Sequence, residues 1–274
     1  ERVFKIHQAQ YTQDILKRYH MENCNGVSTP IEKDLFLKKA EIEEEKTTKP
    51  YRQLIGSLMY LMIGSRPDIS FSLNYFSRFQ DKATDECYTH LKRILRYLNQ
   101  NNYQLVYTDS DEKEIAYGYV DADWGSDKED RKSITGYCFF VFGNLVTWRS
   151  KKQATVSLSS TEAEYCALSQ VVCDALWIKG IMQDLGFTDF NCITLFEDNQ
   201  STIHLANNRE NGKRTKHIDI KHHFIRDQIE KGNIIVKYVP SIQQIADMFT
   251  KGLTNVLFKK FCTKLGLEKL ELPT

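Results

Sequence analysis

The order of β-prone and helical segments after Tyr103 most constrains the fold of this chain. Short β-prone runs come first, separated by glycine, asparagine and charged residues: YQLVYT, IAYGYVDA, ITGYCFFVFG, NLVTWRS and ATVSLS. A long helical pattern follows, TEAEYCALSQVVCDALWIKGIMQDLG, and strand-like and helix-like segments then alternate. Strands followed by such an alternation are typical of a mixed α/β sheet with helices on its faces. We therefore predict an α/β domain over residues 103–267.

The first hundred residues have a different pattern. A short strand at RVFKIH and a helix through YTQDILKRYHM precede a polar stretch rich in charge and turn formers. After Pro50 come helical patterns, which are interrupted at Arg66 and Pro67 because proline cannot continue a helix. We expect a mostly helical domain over residues 1–100.

Composition leaves several classes of protein open and excludes others. The 37 basic and 36 acidic residues give a net charge of +1, which neither requires nor excludes a nucleic-acid partner. The 7 cysteines are scattered without a CxxC pair, so a disulfide framework or zinc ribbon is not expected. No apolar run approaches the roughly 18 residues that cross a bilayer, and no signal peptide is evident, so we expect an intracellular protein without a membrane partner. Because Glu1 begins inside a strand-like run, we also expect a longer parent chain.

Acidic residues recur where strands end. Asp121 lies near the end of the strand-like YVDAD run and Asp198 ends CITLFED, and the carboxyl ends of strands are where open α/β sheets bind ligands. Glu164 heads the apolar stripe of the long helix, so its carboxylate points at the sheet. Asp247, in QQIADMFTKG, resembles by itself an ordinary acid of an amphipathic helix. The four residues could form one acidic site.

Four converging carboxylates repel one another and are costly to desolvate, and a divalent metal is the simplest remedy. Oxygen-only ligands select hard cations such as Mg²⁺. Two such ions about 4 Å apart activate water and stabilise the leaving oxygen in phosphodiester hydrolysis. We predict two Mg²⁺ ions, with Mn²⁺ able to substitute. Asp123 and Glu162 are the residues most easily confused with the ligands, although Glu162 also suits the first turn of a helix.

Several motifs resemble one known family. The matching segments are YRQLIGSLMYLMIGSRPDISFSLNYFSRF, LKRILRYL, GYVDADWGSDKEDRKSITGY, SSTEAEY, ALWIK, EDNQSTIHLANN, TKHIDIKHHFIRD and IADMFTKGL. In this order they resemble the carboxyl-terminal part of copia-type retrotransposon Pol polyproteins, a thumb or connection region of the reverse transcriptase followed by ribonuclease H. The resemblance implies a ribonuclease H-like five-stranded mixed sheet with flanking helices. It also implies cleavage of the RNA strand of RNA:DNA hybrids, leaving 3′-hydroxyl and 5′-phosphate ends.

The resemblance also implies a D-E-D-D set of catalytic, metal-binding carboxylates. Carried over by motif, these are Asp121 in YVDAD, Glu164 in AEY, Asp198 in FEDNQ and Asp247 in IADMF. In similar enzymes the first aspartate bridges both ions, the last helps to hold the ion on the nucleophile side, and the other two hold the second ion. The chain has no YxDD polymerase motif, so we expect no DNA synthesis.

Basic residues near these motifs are candidates for contact with phosphate. Those predicted to bind nucleic acid are Arg149, Lys151, Lys152, Lys213, Arg214 and Lys216. Other candidates, each of which alone usually lies on a solvated face, are Lys92, Arg93, Arg96, Arg131, Lys132 and Lys221. The HIDIKHH run, with His217, Asp219, His222 and His223, lacks the i, i+4 histidine spacing of a helical metal site, so we interpret it as scaffold.

The expected partners are an RNA:DNA hybrid and the polymerase remainder of the polyprotein. The resemblance implies a cytoplasmic location in virus-like particles, with a nuclear phase left open. Two alternatives remain: a non-catalytic, hybrid-binding or structural remnant of such a polyprotein, and an integrase or transposase core on a related fold. The second uses a D-D-E order of acids, whereas here Glu164 comes second and Asp247 follows as a fourth.

Overall fold

The computed structural model describes residues 2–109, 114–187, 190–208 and 216–270, except for the side chains of 216–220 and 222. The chain divides into two compact units. The first comprises residues up to Thr108 together with those from Lys251 onward, and the second comprises Asp109–Thr250. These bounds differ from the expected domains at both ends of the second unit.

In chain order, the helices are α1 (Ala9–Arg18), α2 (Tyr51–Gly64), α3 (Ser70–Ser77), α4 (Asp85–Gln100), α5 (Ser160–Asp184), α6 (Gln200–Asn207), α7 (Lys216–Glu230) and α8 (Asn255–Lys264). The strands are β1 (Val3–Ile6), β2 (Tyr103–Thr108), β3 (Ala116–Asp123), β4 (Ile134–Val141), β5 (Asn144–Lys152), β6 (Ile193–Glu197), β7 (Ile234–Tyr238) and β8 (Leu267–Lys269). Short 3-10 helices lie at Glu43–Glu45, Pro67–Ile69, Ser241–Gln243 and Ile245–Phe249. Over the described ranges, no helix combines the length and apolarity that crossing a bilayer requires.

The second unit is built on a five-stranded mixed sheet with the strand order β5-β4-β3-β6-β7. β3 pairs with β4, and β4 with β5, in antiparallel orientation, whereas β3–β6 and β6–β7 are parallel. The expected α/β fold with a five-stranded mixed sheet and flanking helices is therefore confirmed.

Helix α5 packs on this sheet through an apolar stripe. Leu168, Val171 and Ala175 are fully buried and belong to one core cluster with Val120 of β3 and Leu195 of β6. Their spacing of three and four residues places them on one face of a helix, while alternate residues of a strand share one face of a sheet. The apolar stripe of the helix packs on the apolar face of the sheet in this core, and this packing fixes the position of α5 across β3.

The predicted strand ATVSLS is wrong, because residues 154–159 form a loop between β5 and α5. Backbone groups of this loop bond to side chains: the Ser157 carbonyl accepts from Trp124 Nε1 at 2.9 Å, and the Leu158 amide donates to Glu162 Oε2 at 2.8 Å. Groups engaged in this way cannot form a strand ladder. The expected helix in QQIADMFTKG is likewise shorter, a 3-10 helix over Ile245–Phe249.

The first unit contains α1–α4 and α8 with an antiparallel three-stranded sheet of order β1-β2-β8. Because β2 pairs with both β1 and β8, it belongs to this unit and not to the larger sheet. Helix α4 buries Leu91, Ile94 and Leu98 on one face, and the Thr84 hydroxyl caps its start by accepting from the Cys87 amide.

A buried ion pair lies inside the first unit. Arg66 Nη2 and Asp68 Oδ2 are 2.6 Å apart, with side-chain exposures of 1% and 0%. The Tyr97 hydroxyl also donates to Asp68 Oδ2 at 2.6 Å, and the guanidinium lies 5.6 Å from the centre of the Tyr97 ring and 5.5 Å from that of Tyr103. A buried charge is tolerated when it is paired and hydrogen-bonded, so each member of this group depends on the others.

We expect Asp68→Asn to destabilise the first unit by about 3 to 5 kcal/mol, because it leaves the Arg66 guanidinium buried without a counter-charge. Hydrogen exchange of amides in α4, read by mass spectrometry, measures this loss. The exposed pair Arg52–Asp81 has the same 2.6 Å separation, with exposures of 65% and 89%. Asp81→Asn should cost less than about 1 kcal/mol. Equal effects of the two substitutions would contradict the role of burial.

Candidate metal centre

Three acidic side chains converge at one edge of the five-stranded sheet. Asp121, Glu164 and Asp198 each offer a carboxylate oxygen, and the three oxygens lie within 4.8 Å of one another. The parallel pairing of β3 with β6 brings the two aspartates together. Tyr119 lies beside Phe196 in this pairing, and each aspartate follows its strand's paired residue by two positions. The carboxyl ends of neighbouring parallel strands thus deliver both aspartates to one place.

Glu164 reaches this place from the first turns of α5. The Ser159 hydroxyl caps the helix by accepting from the Glu162 amide at 3.1 Å, which fixes where the helix begins. Glu164 then lies on the buried stripe that continues through Leu168 and Val171. The carboxylate is buried with that stripe, facing the sheet as the sequence predicted.

Asp247 lies outside the group of three. It is buried in the 3-10 helix Ile245–Phe249, which packs against β3 and β4. Gln244 anchors that helix: its Oε1 accepts from the Ala246 amide at 3.3 Å, and its Nε2 donates to the Val120 carbonyl at 2.8 Å. The segment that carries Asp247 is therefore tied to the residue preceding Asp121, while its membership of the site stays a prediction.

A glycine permits this close packing. Gly136 lies directly opposite Asp121 in the β3–β4 pairing. A Cβ at Gly136 would lie 2.6 Å from Thr250 Cγ2 and 2.7 Å from Phe249 Cβ, too close for any side chain. With no side chain there, the Thr250 hydroxyl comes near enough to donate to Asp121 Oδ2. This hydrogen bond orients the Asp121 carboxylate.

Glu197 adds another acid beside the group. Its side chain is fully buried, and its Oε1 accepts from the Asn199 amide at 3.0 Å. Burial raises the pKa of Glu197 well above its usual value, the Asn199 hydrogen bond opposes this, and the charges of Asp121 and Asp198 raise it further. Glu197 therefore keeps its proton to a higher pH than an ordinary glutamate does.

Sequence reasoning missed three residues at this edge: Gln244, Thr250 and Glu197. Strand alternation does place Glu197 on the face of Ile193 and Leu195, both buried, so its burial could have been predicted. Gln244 and Thr250 flank a short 3-10 helix without periodic pattern, and no sequence signal indicates their hydrogen bonds.

The two acids most easily confused with the ligands fall outside the group of three. Glu162 Oε2 accepts from the Leu158 amide, which is the role of a first-turn acid at a helix start. Asp123 is the half-buried last residue of β3, and alternation places it on the same face as Asp121. Its position makes it a neighbour of the site.

The basic residues predicted to contact phosphate have different surroundings. Lys151 is exposed on β5. Arg149 hydrogen-bonds to the Tyr137 hydroxyl, which raises the pKa of the guanidinium, and Tyr137 in turn donates to Asp174. Arg149 is therefore already engaged within the unit.

Lys152 is engaged as well. Its Nζ lies 2.6 Å from Asp127 Oδ2 and 2.9 Å from Asp130 Oδ1, two carboxylates of the loop between β3 and β4. These contacts help to lower the pKa of Asp130 against the opposing effect of burial. The interaction holds the β3–β4 loop against β5.

Other predicted residues fall where side chains are not described. Lys213 and Arg214 lie outside the described residues, and Lys216 begins α7 with its side chain outside the description. The same holds for the side chains of His217, Asp219 and His222, whereas His223 is exposed. In the first unit, Arg93 bonds to Glu32 and the Thr29 carbonyl, and Arg96 to the Asn25 carbonyl.

The donor set fits a hard divalent cation. Asp121, Glu164 and Asp198 offer oxygen atoms alone, and two of the three side chains are buried. Mg²⁺ and Mn²⁺ prefer such ligands, and a cation there would offset the mutual repulsion of the carboxylates. The cluster is a candidate metal centre on the chemistry of its own residues.

We expect Glu197→Gln to stabilise the second unit increasingly as pH rises above about 5, just past the pKa of an unfolded glutamate, in EDTA. The folded protein keeps a proton that unfolded Glu197 releases, so wild-type stability falls over this range by up to about 1.4 kcal/mol per pH unit. Glutamine stays neutral and keeps an oxygen for the Asn199 amide. All three tryptophans lie in the second unit, so urea unfolding followed by tryptophan fluorescence measures the difference. Asp184→Asn, at the exposed end of α5, is the control, and a difference independent of pH would contradict a buried neutral Glu197.

Comparison with known proteins identifies relatives along almost the whole chain. No family model matches it. It is 37% identical over 267 residues to the retrovirus-related Pol polyprotein from transposon TNT 1-94 of Nicotiana tabacum, covering 95% of this chain and 20% of that protein. It is 35% identical over 267 residues to the corresponding polyprotein from transposon RE1 of Arabidopsis thaliana, covering 97% of this chain and 18% of that protein. The chain thus spans about a fifth of the length of these curated relatives.

Among solved structures, ribonuclease H1 of Halobacterium salinarum aligns with 49% of this chain and 93% of its own, at 16% identity and a TM-score of 0.37. A similarity this distant does not indicate function. The fold follows from the strand order and helices of the second unit itself. The identities along the chain determine the family. The chain belongs to the copia-type retrotransposon Pol polyproteins, and its second unit is a ribonuclease H-like domain.

Proposed function

We propose that the second unit is a metal-dependent endonuclease that hydrolyses the RNA strand of RNA:DNA hybrids during retrotransposon reverse transcription. The observation that carries this proposal is the convergence of oxygens from Asp121, Glu164 and Asp198 within 4.8 Å. A structural cluster of acids would not need to gather at the carboxyl ends of two parallel strands. Phosphodiester hydrolysis by divalent cations does require carboxylates so arranged.

In this proposal the acids that hold metal are Asp121, Glu164, Asp198 and Asp247. When bound, the two cations neutralise phosphate charge and activate the attacking water. Asp121 has the central position, since it joins the group of three and also lies next to the segment that carries Asp247. Attack forms a bond from water to phosphorus and breaks the bond to the 3′ oxygen, leaving 3′-hydroxyl and 5′-phosphate ends.

Neighbouring residues keep the carboxylates in place. The Thr250 hydroxyl orients Asp121 through its donated hydrogen bond, and Gln244 fixes the Asp247 segment to β3. The raised pKa of Glu197 favours its neutral form, which adds no further negative charge to the group. The result is a set of oxygens that need little reorganisation when cations bind.

We expect the first unit to add grip on duplex and no polymerase activity, as the absence of a YxDD motif in the sequence indicates. Arg93 pairs with Glu32 and Arg96 donates to the Asn25 carbonyl, so both of these basic side chains already have partners within the first unit. Contact with phosphate then falls mainly to the second unit, where Lys151 is exposed near the end of β5.

Cleavage of a labelled RNA:DNA hybrid tests the activity. We expect Mg²⁺ or Mn²⁺ to support cutting of the RNA strand alone, EDTA to abolish it, and Asp121→Asn or Asp198→Asn to lower it by about 100-fold or more through loss of metal ligands. The matched control Asp184→Asn should cut at the wild-type rate. Mn²⁺ binding, followed by electron paramagnetic resonance, should weaken in Asp198→Asn independently of activity.

Each other outcome has a definite meaning. Undiminished cutting by Asp121→Asn would remove that residue from the site. If the wild-type chain bound the hybrid without cutting it, the chain would be a non-catalytic remnant. Strand transfer with donor DNA ends in place of RNA cutting would show the integrase-like alternative, and we expect no such product.

Hybrid binding should depend on Lys151 and less directly on Lys152. We expect Lys151→Ala to weaken binding for every sequence and to reduce the slope of log K against log salt by about 1, as loss of one phosphate contact predicts. Lys152→Ala should instead lower the melting temperature, because it removes the ion pairs of Lys152 with Asp127 and Asp130. Fluorescence anisotropy over 50 to 200 mM salt, about the range in which such slopes are resolved, measures the first effect. An unchanged slope in Lys151→Ala would exclude the contact.

A further inference from the structure

An exposed tryptophan lies beside the candidate metal centre. Trp124 directly follows the last residue of β3, and 47% of its surface is exposed. Since a strand advances about 3.3 Å per residue, the Trp124 backbone lies within about 10 Å of Asp121. An indole has a large apolar surface, so a half-exposed one at this edge is available for contact with a ligand.

Hydrogen bonds hold the indole in place. Its Nε1 donates to the Ser157 carbonyl at 2.9 Å. The Ser157 hydroxyl donates to Gln153 Oε1 at 3.2 Å, and Gln153 Nε2 donates to the Ala163 carbonyl at 2.9 Å, one residue before Glu164. The ring is thus anchored to the same helix start that carries a candidate metal ligand.

The strand side is fixed as well. The Gly125 amide donates to the Ser133 hydroxyl at 3.0 Å, and Gly125 has a φ of +57°, which a glycine adopts without strain. The Ser133 carbonyl accepts from the Gln153 amide at 2.8 Å. Trp124 therefore sits on a frame that connects the end of β3 to the start of α5, the two elements that supply Asp121 and Glu164.

The chemistry of the indole restricts what it can bind. Its only donor is already bonded to Ser157, so the exposed part offers a flat apolar surface without a free hydrogen-bonding group. Such a surface can stack on a base or pack on a sugar, and it cannot read base edges. A nucleic-acid strand rises about 3.4 Å per nucleotide, so a phosphate bound through cations at these carboxylates would place the flanking nucleotides within reach of Trp124.

We propose that Trp124 is a substrate-positioning residue that packs against a nucleotide flanking the scissile phosphate, without preference for base sequence. This rests on the proposed ribonuclease activity, because the carboxylates would position the phosphate through the cations that they hold. Val156 and Leu158, which flank Ser157 in the same loop, also have exposed apolar side chains. The contact sets the register of the strand over the acids.

Kinetics of hybrid cleavage by the full chain test the contact. We expect Trp124→Ala to raise KM by about 5- to 100-fold, the range that loss of one base–aromatic contact produces, and to change kcat by less than about 3-fold. Trp124→Phe, which keeps an aromatic ring but lacks the indole donor, should recover most of the loss. Trp177→Ala removes a tryptophan that is 63% exposed on α5 and serves as the matched control with wild-type values. The KM changes should be equal for two hybrids of unrelated sequence.

Binding separates failure of this inference from failure of the proposed activity. Should the wild-type chain not cut, anisotropy of the labelled hybrid in EDTA still compares Trp124→Ala, Trp124→Phe and Trp177→Ala, and weaker binding by the first alone supports the contact. Unchanged KM and unchanged binding in Trp124→Ala would overturn the inference. So would a fall in kcat alone in both Trp124 variants. A change in sedimentation of the Trp124 variants would overturn it as well, because it would show that this surface joins two protein chains. If Trp124→Ala does not fold, wild-type KM in Trp124→Leu, which keeps apolar bulk without a ring, would also overturn it.

Discussion

The parallel pairing of β3 with β6 is the constraint on which the second unit depends. It places Asp121 and Asp198 at the same edge of the sheet, and α5, which packs on the sheet, adds Glu164. Like charges gathered in a partly buried place disfavour their own ionisation. The effect is visible at Glu197, whose pKa is raised by burial and by the two neighbouring aspartates. A fold that accepts this cost at one point gains a group of oxygen atoms suited to a divalent cation.

Much of this arrangement could be predicted from the sequence, because two simple periodicities determine it. Alternation of apolar residues identifies β3 and β6 as strands, so Asp121 and Asp198 are expected near their ends. The spacing of three and four residues after Glu164 identifies the buried face of α5. The remaining features depend on contacts between distant residues. ATVSLS has the composition of a strand, yet Trp124 and Glu162 bind its backbone and keep it a loop. Likewise β2 looks like a first strand of the large sheet, and its partners are instead at both ends of the chain.

The basic residues show why charge patterns predict less than carboxylate patterns. Lys152 and Arg149 occur in a basic run beside Trp148, which suggests a phosphate-binding surface. In the folded unit, Lys152 joins Asp127 and Asp130, and Arg149 joins Tyr137. Long cationic side chains bind whichever acceptors the fold brings near, and sequence does not specify those acceptors. Short carboxylates at strand ends have little such freedom, so their positions follow from the backbone.

The two units treat buried charge in opposite ways, and the contrast bears on function. In the first unit the Arg66 guanidinium and the Asp68 carboxylate neutralise each other, and tyrosine rings enclose the pair. Such a pair supports one packing arrangement and carries no net charge that would attract a ligand. In the second unit, acidic side chains are brought together, a glycine admits the Thr250 hydroxyl to Asp121, and a buried glutamine ties the segment of Asp247 to β3. Stability alone gives no reason to gather acids in this way, whereas binding of cations and phosphate does.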